Sequence, residues 1–139
     1  MCRDAGVTVS YHNHNWEFEN AGGDCMKMLI DLVPAELMKL MPDVGMIPES
    51  SGGPVKYLND NWDRVGALHI KMIKDIPYEI GKGFTGTPEE LRFFSDVTDF
   101  LYKKEKENLW VICEQGSTNL DHAVTARKNY LFTKGLLGL

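Results

Sequence analysis

Apolar and polar positions repeat along this chain in four cycles. Each cycle is a short run with strand character, a polar loop, and a segment with helical spacing. The first run predicts a strand over Val7–His12. Its alternation puts Val7, Val9 and Tyr11 on one face, and Thr8, Ser10, His12 and, just beyond, His14 on the other. After the loop Asn20-Ala21-Gly22-Gly23, Asp24 is a cap for a helix over Cys25–Val33, and Pro34 follows its end. A second strand is predicted over Leu37–Asp43. The Gly-, Ser- and Pro-rich loop from Gly45 to Gly53 leads to a helix that starts at Pro54 and runs to about Asn61. Ala67–Lys71 is the third strand. A long loop, Met72 to Gly86, carries Gly81-Lys82-Gly83. Thr87-Pro88-Glu89-Glu90 then starts a helix to about Lys104, with Leu91, Phe94, Val97 and Leu101 at helical spacing. The fourth strand is Leu109–Glu114. The last helix opens at Asn119 or Asp121, carries Val124, Tyr130 and Leu131, and ends near Gly135.

Strands alternating with helices imply parallel pairing, because a parallel pair needs a crossover connection. The fold class is therefore α/β. A length of 139 residues is that of one domain, 1–139, by the usual size of roughly 100–200 residues. The 43% hydrophobic and 25% charged content is that of a soluble globular protein. A net charge of −5 argues against a nucleic-acid or anionic-membrane partner, which would call for a basic patch. There is no apolar run of about 18 residues to span a membrane, and Met1-Cys2-Arg3-Asp4 does not begin a signal peptide. Cys2, Cys25 and Cys113 are an odd set without a CxxC, which fits reduced thiols and a cytoplasmic setting. Cys113, inside an apolar run, is expected to be a small core residue.

Candidate chemistry gathers at the carboxyl ends of the predicted strands, where α/β sheets carry their sites. Those ends are His12 with His14, Asp43, His69 with Lys71, and Glu114. Each residue has a plainer reading. Asp43 is placed to cap the next loop, Glu114 to be a lone rim carboxylate, His69 to be a hydrogen-bonded core histidine. Together, two imidazoles and two carboxylates suit a divalent cation such as Mn²⁺, Co²⁺, Zn²⁺ or Fe²⁺. A carboxylate at the end of an apolar strand is costly to bury unless paired or coordinated.

Several stretches occur in a telling order: Tyr11-His12-Asn13-His14-Asn15-Trp16-Glu17-Phe18, Asp43-Val44-Gly45, Gly53-Pro54-Val55, Arg64-Val65-Gly66-Ala67-Leu68-His69-Ile70-Lys71, Gly81-Lys82-Gly83 and Cys113-Glu114-Gln115. In this order they resemble the sugar phosphate isomerase/epimerase branch of the xylose isomerase-like TIM barrels, over about residues 3 to 135. The resemblance implies a divalent metal ion (Mn²⁺, Co²⁺, Mg²⁺ or Zn²⁺) on Asp43, His69 and Glu114. His12 takes the place of the family's first Glu. It implies that His14 faces the substrate as a base, with His12 and His14 able to exchange roles. Lys71 would bind a substrate oxygen, and Trp16 and Glu17 would line the pocket. Two departures stand out. Met72 follows the Leu-His-Ile-Lys lysine where the family usually has Asp, with Asp75 three residues later. A full barrel also needs eight βα units, about 250 residues, and this chain has four.

The expectation is thus a parallel (βα)4 half of a TIM barrel, strands 5–8 by resemblance. The face bearing Thr8, Ser10, Met41 and Ala67 would be left open with two sheet edges. A homodimer or a complementing half-barrel chain would close it. The implied activity is isomerisation or epimerisation of an open-chain sugar or polyol through an enediolate, with Glu114 or His14 as base. The rivals are a keto-polyol dehydratase using the same proton abstraction, and a non-catalytic half-barrel that binds metal or sugar weakly or needs a partner.

Overall fold

The computed structural model describes residues 2–19, 25–72, 88–104, 108–115 and 118–138. Its elements, in order, are β1 (Ser10–His12), α1 (Trp16–Glu19), α2 (Cys25–Leu32), β2 (Lys39–Met41), α3 (Gly53–Asn61), β3 (Ala67–Met72), α4 (Pro88–Lys104), β4 (Trp110–Gln115) and α5 (His122–Leu136). The strand–helix alternation expected from the sequence is present. The expected Asp24 cap, the Gly81-Lys82-Gly83 loop, Asp75 and the Thr87 helix start lie outside the described residues.

β1 and β2 pair in parallel, with Tyr11 opposite Leu40. Parallel bridges link Leu40 to Val65 and Asp43 to His69. β3 and β4 are neighbours in a second two-stranded sheet. Among the described residues the strands close no barrel. β1 is shorter than its β-type run. Lys39 N–H still donates to Val9 O at 2.8 Å, but Val7 and Val9 are exposed.

The chain divides into two compact units. The first holds residues 1–70 and 108–112, and the second holds 71–107 and 113–139. In the first unit, Leu40, Val44, Leu58, Val65, Leu68 and Ile70 are buried. Met26, Leu40, Ile47 and Tyr57 form one cluster, against which Tyr11, Phe18, Leu29 and Ile30 pack. Each fully buried Leu contributes about 1.5–3 kcal/mol through burial. Arg64 ties α2 into this unit: Nη1 donates to Ile30 O at 2.7 Å, and Nη2 donates to Val33 O. A cation on the last carbonyls of a helix satisfies groups the helix leaves unpaired. The turn into α3 depends on Gly53, which has φ +76° and where a Cβ would come 2.9 Å from Glu49 Oε2. Only glycine takes that conformation without strain.

The second unit has a different lining. Val97 and Phe100 of α4 are buried, and Phe94 meets Phe132 of α5 edge-on at 5.3 Å. Asp121 caps α5, with Oδ1 accepting the N–H groups of Ala123 and Val124 at 2.9 and 3.2 Å. α5 then buries Thr125, Asn129 and Thr133, four residues apart and so on one helix face. Thr125 Oγ1 bonds Thr118 Oγ1 at 2.8 Å, Asn129 Nδ2 donates to Gln115 Oε1 at 3.0 Å, and Thr133 Oγ1 meets Cys113 Sγ at 2.9 Å. Val124, Tyr130 and Leu131, the apolar residues that marked this helix in the sequence, face solvent.

Candidate metal centre

Strand register assembles the site. His12 stands opposite Met41 in the β1–β2 pair. Asp43, two residues after Met41, returns to the same face. The parallel bridge then sets Asp43 beside His69. This alignment needs an offset. Between the Leu40–Val65 and Asp43–His69 bridges the chain advances three residues on the β2 side and four on the β3 side. Gly66 lies in the longer stretch. Its N–H donates to Leu40 O at 2.8 Å, and a Cβ there would come 2.8 Å from Lys39 Cβ. The close approach that only glycine permits therefore helps set which β3 side chain faces Asp43.

Asp43 is fully buried, at 0% exposure. Its Oδ1 accepts the Gly45 N–H at 3.1 Å and so caps the 3₁₀ turn Val44–Met46. Its own N–H donates to Asn13 Oδ1 at 3.0 Å, and Asn13 is itself buried. The second carboxylate oxygen, Oδ2, lies 3.4 Å from His12 Nε2 and 3.3 Å from His69 Nδ1. The two ring nitrogens are 3.1 Å apart. The loop-capping reading and the ligand reading of Asp43 are thus compatible, one oxygen to each.

Two unprotonated ring nitrogens at that distance point lone pairs at each other. A shared proton or a cation between them removes the repulsion. A cation bonded to three donors at about 2.1 Å, with about 90–110° between bonds, needs donor separations of about 3.0–3.4 Å. The three observed separations span 3.1–3.4 Å. The residues fit a single divalent ion, and His12, Asp43 and His69 are the one such group among the described residues. Burial pushes the His12 imidazole below its ordinary value, as does the neighbouring His69 ring, while the Asp43 hydrogen bond opposes the shift. The direction favours the neutral ring, which is the form that ligates metal.

His14 lies beyond the end of β1. Its ring meets His12 edge-on, with centroids 4.9 Å apart, and its side chain is 46% exposed. Trp16, in α1, is half-exposed. Glu17, expected in the pocket wall, is 2% exposed. Its Oε1 accepts the Tyr11 hydroxyl at 3.1 Å, and its Oε2 accepts the His14 N–H at 2.8 Å. The second of these is one half of a capping box: a Glu three residues on reaches back to the amide at the helix entrance. α1 was not among the helices expected from the sequence. Burial, and then the bond to Glu17 and its charge, raise the Tyr11 phenol above its usual value.

Lys71 and Glu114 belong to the second unit. They form an ion pair there, with Lys71 Nζ 3.1 Å from Glu114 Oε1. Of the four metal ligands expected from the sequence, the structure brings His12, Asp43 and His69 together in the first unit, while Glu114 pairs with Lys71. Asn13 went unnoticed in the sequence, because its role lies in a backbone contact to a residue thirty positions away.

The chain can be compared with solved structures. Two crystal structures titled sugar phosphate isomerase/epimerase, both from Parabacteroides distasonis ATCC 8503, superpose with a TM-score of 0.65 at 18% sequence identity. One match covers 94% of this chain and 46% of the other; the second covers 97% and 49%. The fold is similar to half of the fold of these structures. The chain spans about half the length of these structures, so the half-barrel expected from the sequence is the architecture observed. No family model matches the chain, and no curated protein matches it. Among the described residues no helix of this half-barrel is long and apolar enough to cross a membrane.

Proposed function

We propose that this half-barrel is part of a divalent-metal-dependent sugar isomerase or epimerase. One observation carries the reading: His12 Nε2, Asp43 Oδ2 and His69 Nδ1 form a triangle with sides of 3.1–3.4 Å. His12, Asp43 and His69 would hold the ion, and Glu114 joins them on the resemblance alone. When bound, the ion would supply Lewis-acid polarisation of a substrate carbonyl or hydroxyl oxygen. The chain's own residues supply the rest. Asp43 is held by Asn13 and Gly45, so its free oxygen keeps a fixed direction. His14, half-exposed beside His12, is placed to accept the proton α to the carbonyl and return it to the neighbouring carbon. Lys71 keeps the role of binding a substrate oxygen, and Trp16 that of a pocket wall.

Metal content of the purified protein, followed by titration of the chelated protein with Mn²⁺, Co²⁺ and Zn²⁺, tests the site. Asp43→Asn should lower affinity by at least the roughly 10–100-fold seen for outer-shell partners. Unchanged binding in that variant would remove the foundation of the reading. Turnover of ketose and aldose panels, monitored by mass, separates isomerisation from the loss of water a dehydratase would cause.

The half-length coverage favours a second reading. The chain binds the ion but becomes active only when a second copy or a complementing half-barrel closes the structure. Light scattering after size-exclusion chromatography distinguishes the two. A folded monomer with full activity would eliminate the second reading.

A further inference from the structure

All four strands contribute to the first unit, β3 through residues 67–70 and β4 through 110–112. Among the described residues they run in the order β1, β2, β3, β4, so β1 and β4 are the outer edges. Lys39 N–H donates to Val9 O at 2.8 Å. The backbone groups of the alternate residues, Thr8 and Ser10, therefore point away from β2, where no described strand pairs with them. Sheets blunt such edges with charge or proline. Neither edge has them: residues 7–12 and 108–113 include no Lys, Arg, Asp, Glu or Pro. Apolar side chains stand open on both, Val7 and Val9 on the first, Ile112 and the 75% exposed Trp110 on the second. An open cavity of about 260 Å³ lies at the start of the β1 run, lined by Val7, Val9, Leu37 and Met38 among others.

We propose that a second copy of this chain covers both edges, β1 of each copy pairing in parallel with β4 of the other about a two-fold axis. A strand added to one edge leaves the other open, whereas two copies cover both at once and close the assembly. Two copies also make up the length of one of the solved structures, of which this chain spans 46–49%. Parallel pairing sets amino end beside amino end. Trp110, the first residue of β4, then arrives at the cavity beside the start of β1. Because β1 carries His12, the incoming strand also walls the open side of the candidate metal centre. The proposal deepens the second reading above and rests on it for any catalytic use, while the pairing itself needs no metal.

Light scattering of the purified wild type should give the mass of two chains. To test which edges meet, chains carrying Thr8→Cys and Ile112→Cys are co-expressed in a background where Cys2, Cys25 and Cys113 are replaced by Ser, then treated with a short bis-maleimide. The mixed pair should cross-link to the mass of two chains, and neither variant alone should, because like edges never meet. Trp110→Ala removes a side chain that is exposed in a single copy, so the fold should hold while the dimer dissociation constant rises about tenfold or more. Ser10→Pro deletes only an outward N–H and should return the mass to that of one chain. A monomeric wild type overturns the proposal. So does a dimer whose mixed pair stays uncross-linked, or one whose dissociation constant is unmoved by Trp110→Ala, and these readouts stand even if Ser10→Pro does not fold. A cross-linked dimer that turns over no sugar sinks the proposed function and leaves the pairing, while a monomer that binds Mn²⁺ sinks the pairing and leaves the metal centre.

Discussion

The first unit and helix α5 of the second bury opposite kinds of surface. The first unit buries Leu40, Leu58, Leu68 and their neighbours, while α5 buries Thr125, Asn129 and Thr133 and turns Val124, Tyr130 and Leu131 to solvent. An apolar interior gains from every area it removes from water. A polar stripe gains little net, about 0.5–1.5 kcal/mol per hydrogen bond, but it specifies which partner each side chain must meet. The candidate metal centre stands on the first kind of interior. A buried ligand set needs unyielding walls, because an uncompensated charge in a loose site draws in water instead of a cation.

The largest effect is expected at Leu40, which is fully buried in the middle of β2, three residues before Asp43. Leu40→Ala should cost about 2–5 kcal/mol, read as a lowered midpoint in urea. A loss below about 1 kcal/mol would mean that the first unit is as loosely packed as α5 and that the contrast is false. Asn13→Ala comes next. It removes the acceptor for the Asp43 N–H without touching a ligand. Metal affinity should fall about 10–100-fold, as for other outer-shell contacts, and calorimetric titration reads it. An unchanged affinity would show that Gly45 alone fixes Asp43.

The sequence made the fold legible where one rule acted by itself. The run Ala67–Lys71 became β3, extended by one residue, because its neighbours are apolar and β-type, and Asp121 capped α5 by its own side chain. His12, Asp43 and His69 were legible as strand ends gathered on one rim, but the offset between two bridges that Gly66 accommodates, which sets the side chain facing Asp43, was not. The burial of Glu17 was not legible, because a carboxylate is ordinarily exposed, and the hydroxyl of Tyr11 and the amide of His14 make that burial tolerable. α5 was legible as a helix, but the face it buries was not: Thr118, Gln115 and Cys113 offer polar partners to Thr125, Asn129 and Thr133, and those partners decide which side turns inward. The resemblance supplied the half-barrel, which no local pattern specifies.

Smaller effects belong to α5. Asp121→Ala deletes an acceptor for two N–H groups at the helix start and should cost about 1 kcal/mol. The least effect is expected at Tyr130, 61% exposed on the outer face. If that face meets only water, Tyr130→Ser changes stability by no more than about 0.5 kcal/mol, and the unfolding midpoint is independent of protein concentration. If the face is covered in solution, the same substitution lowers the midpoint, and does so more strongly as concentration rises, because association stabilises the folded form by mass action. The concentration series thus decides whether the outward apolar residues of α5 are a surface that this helix tolerates or one half of a contact.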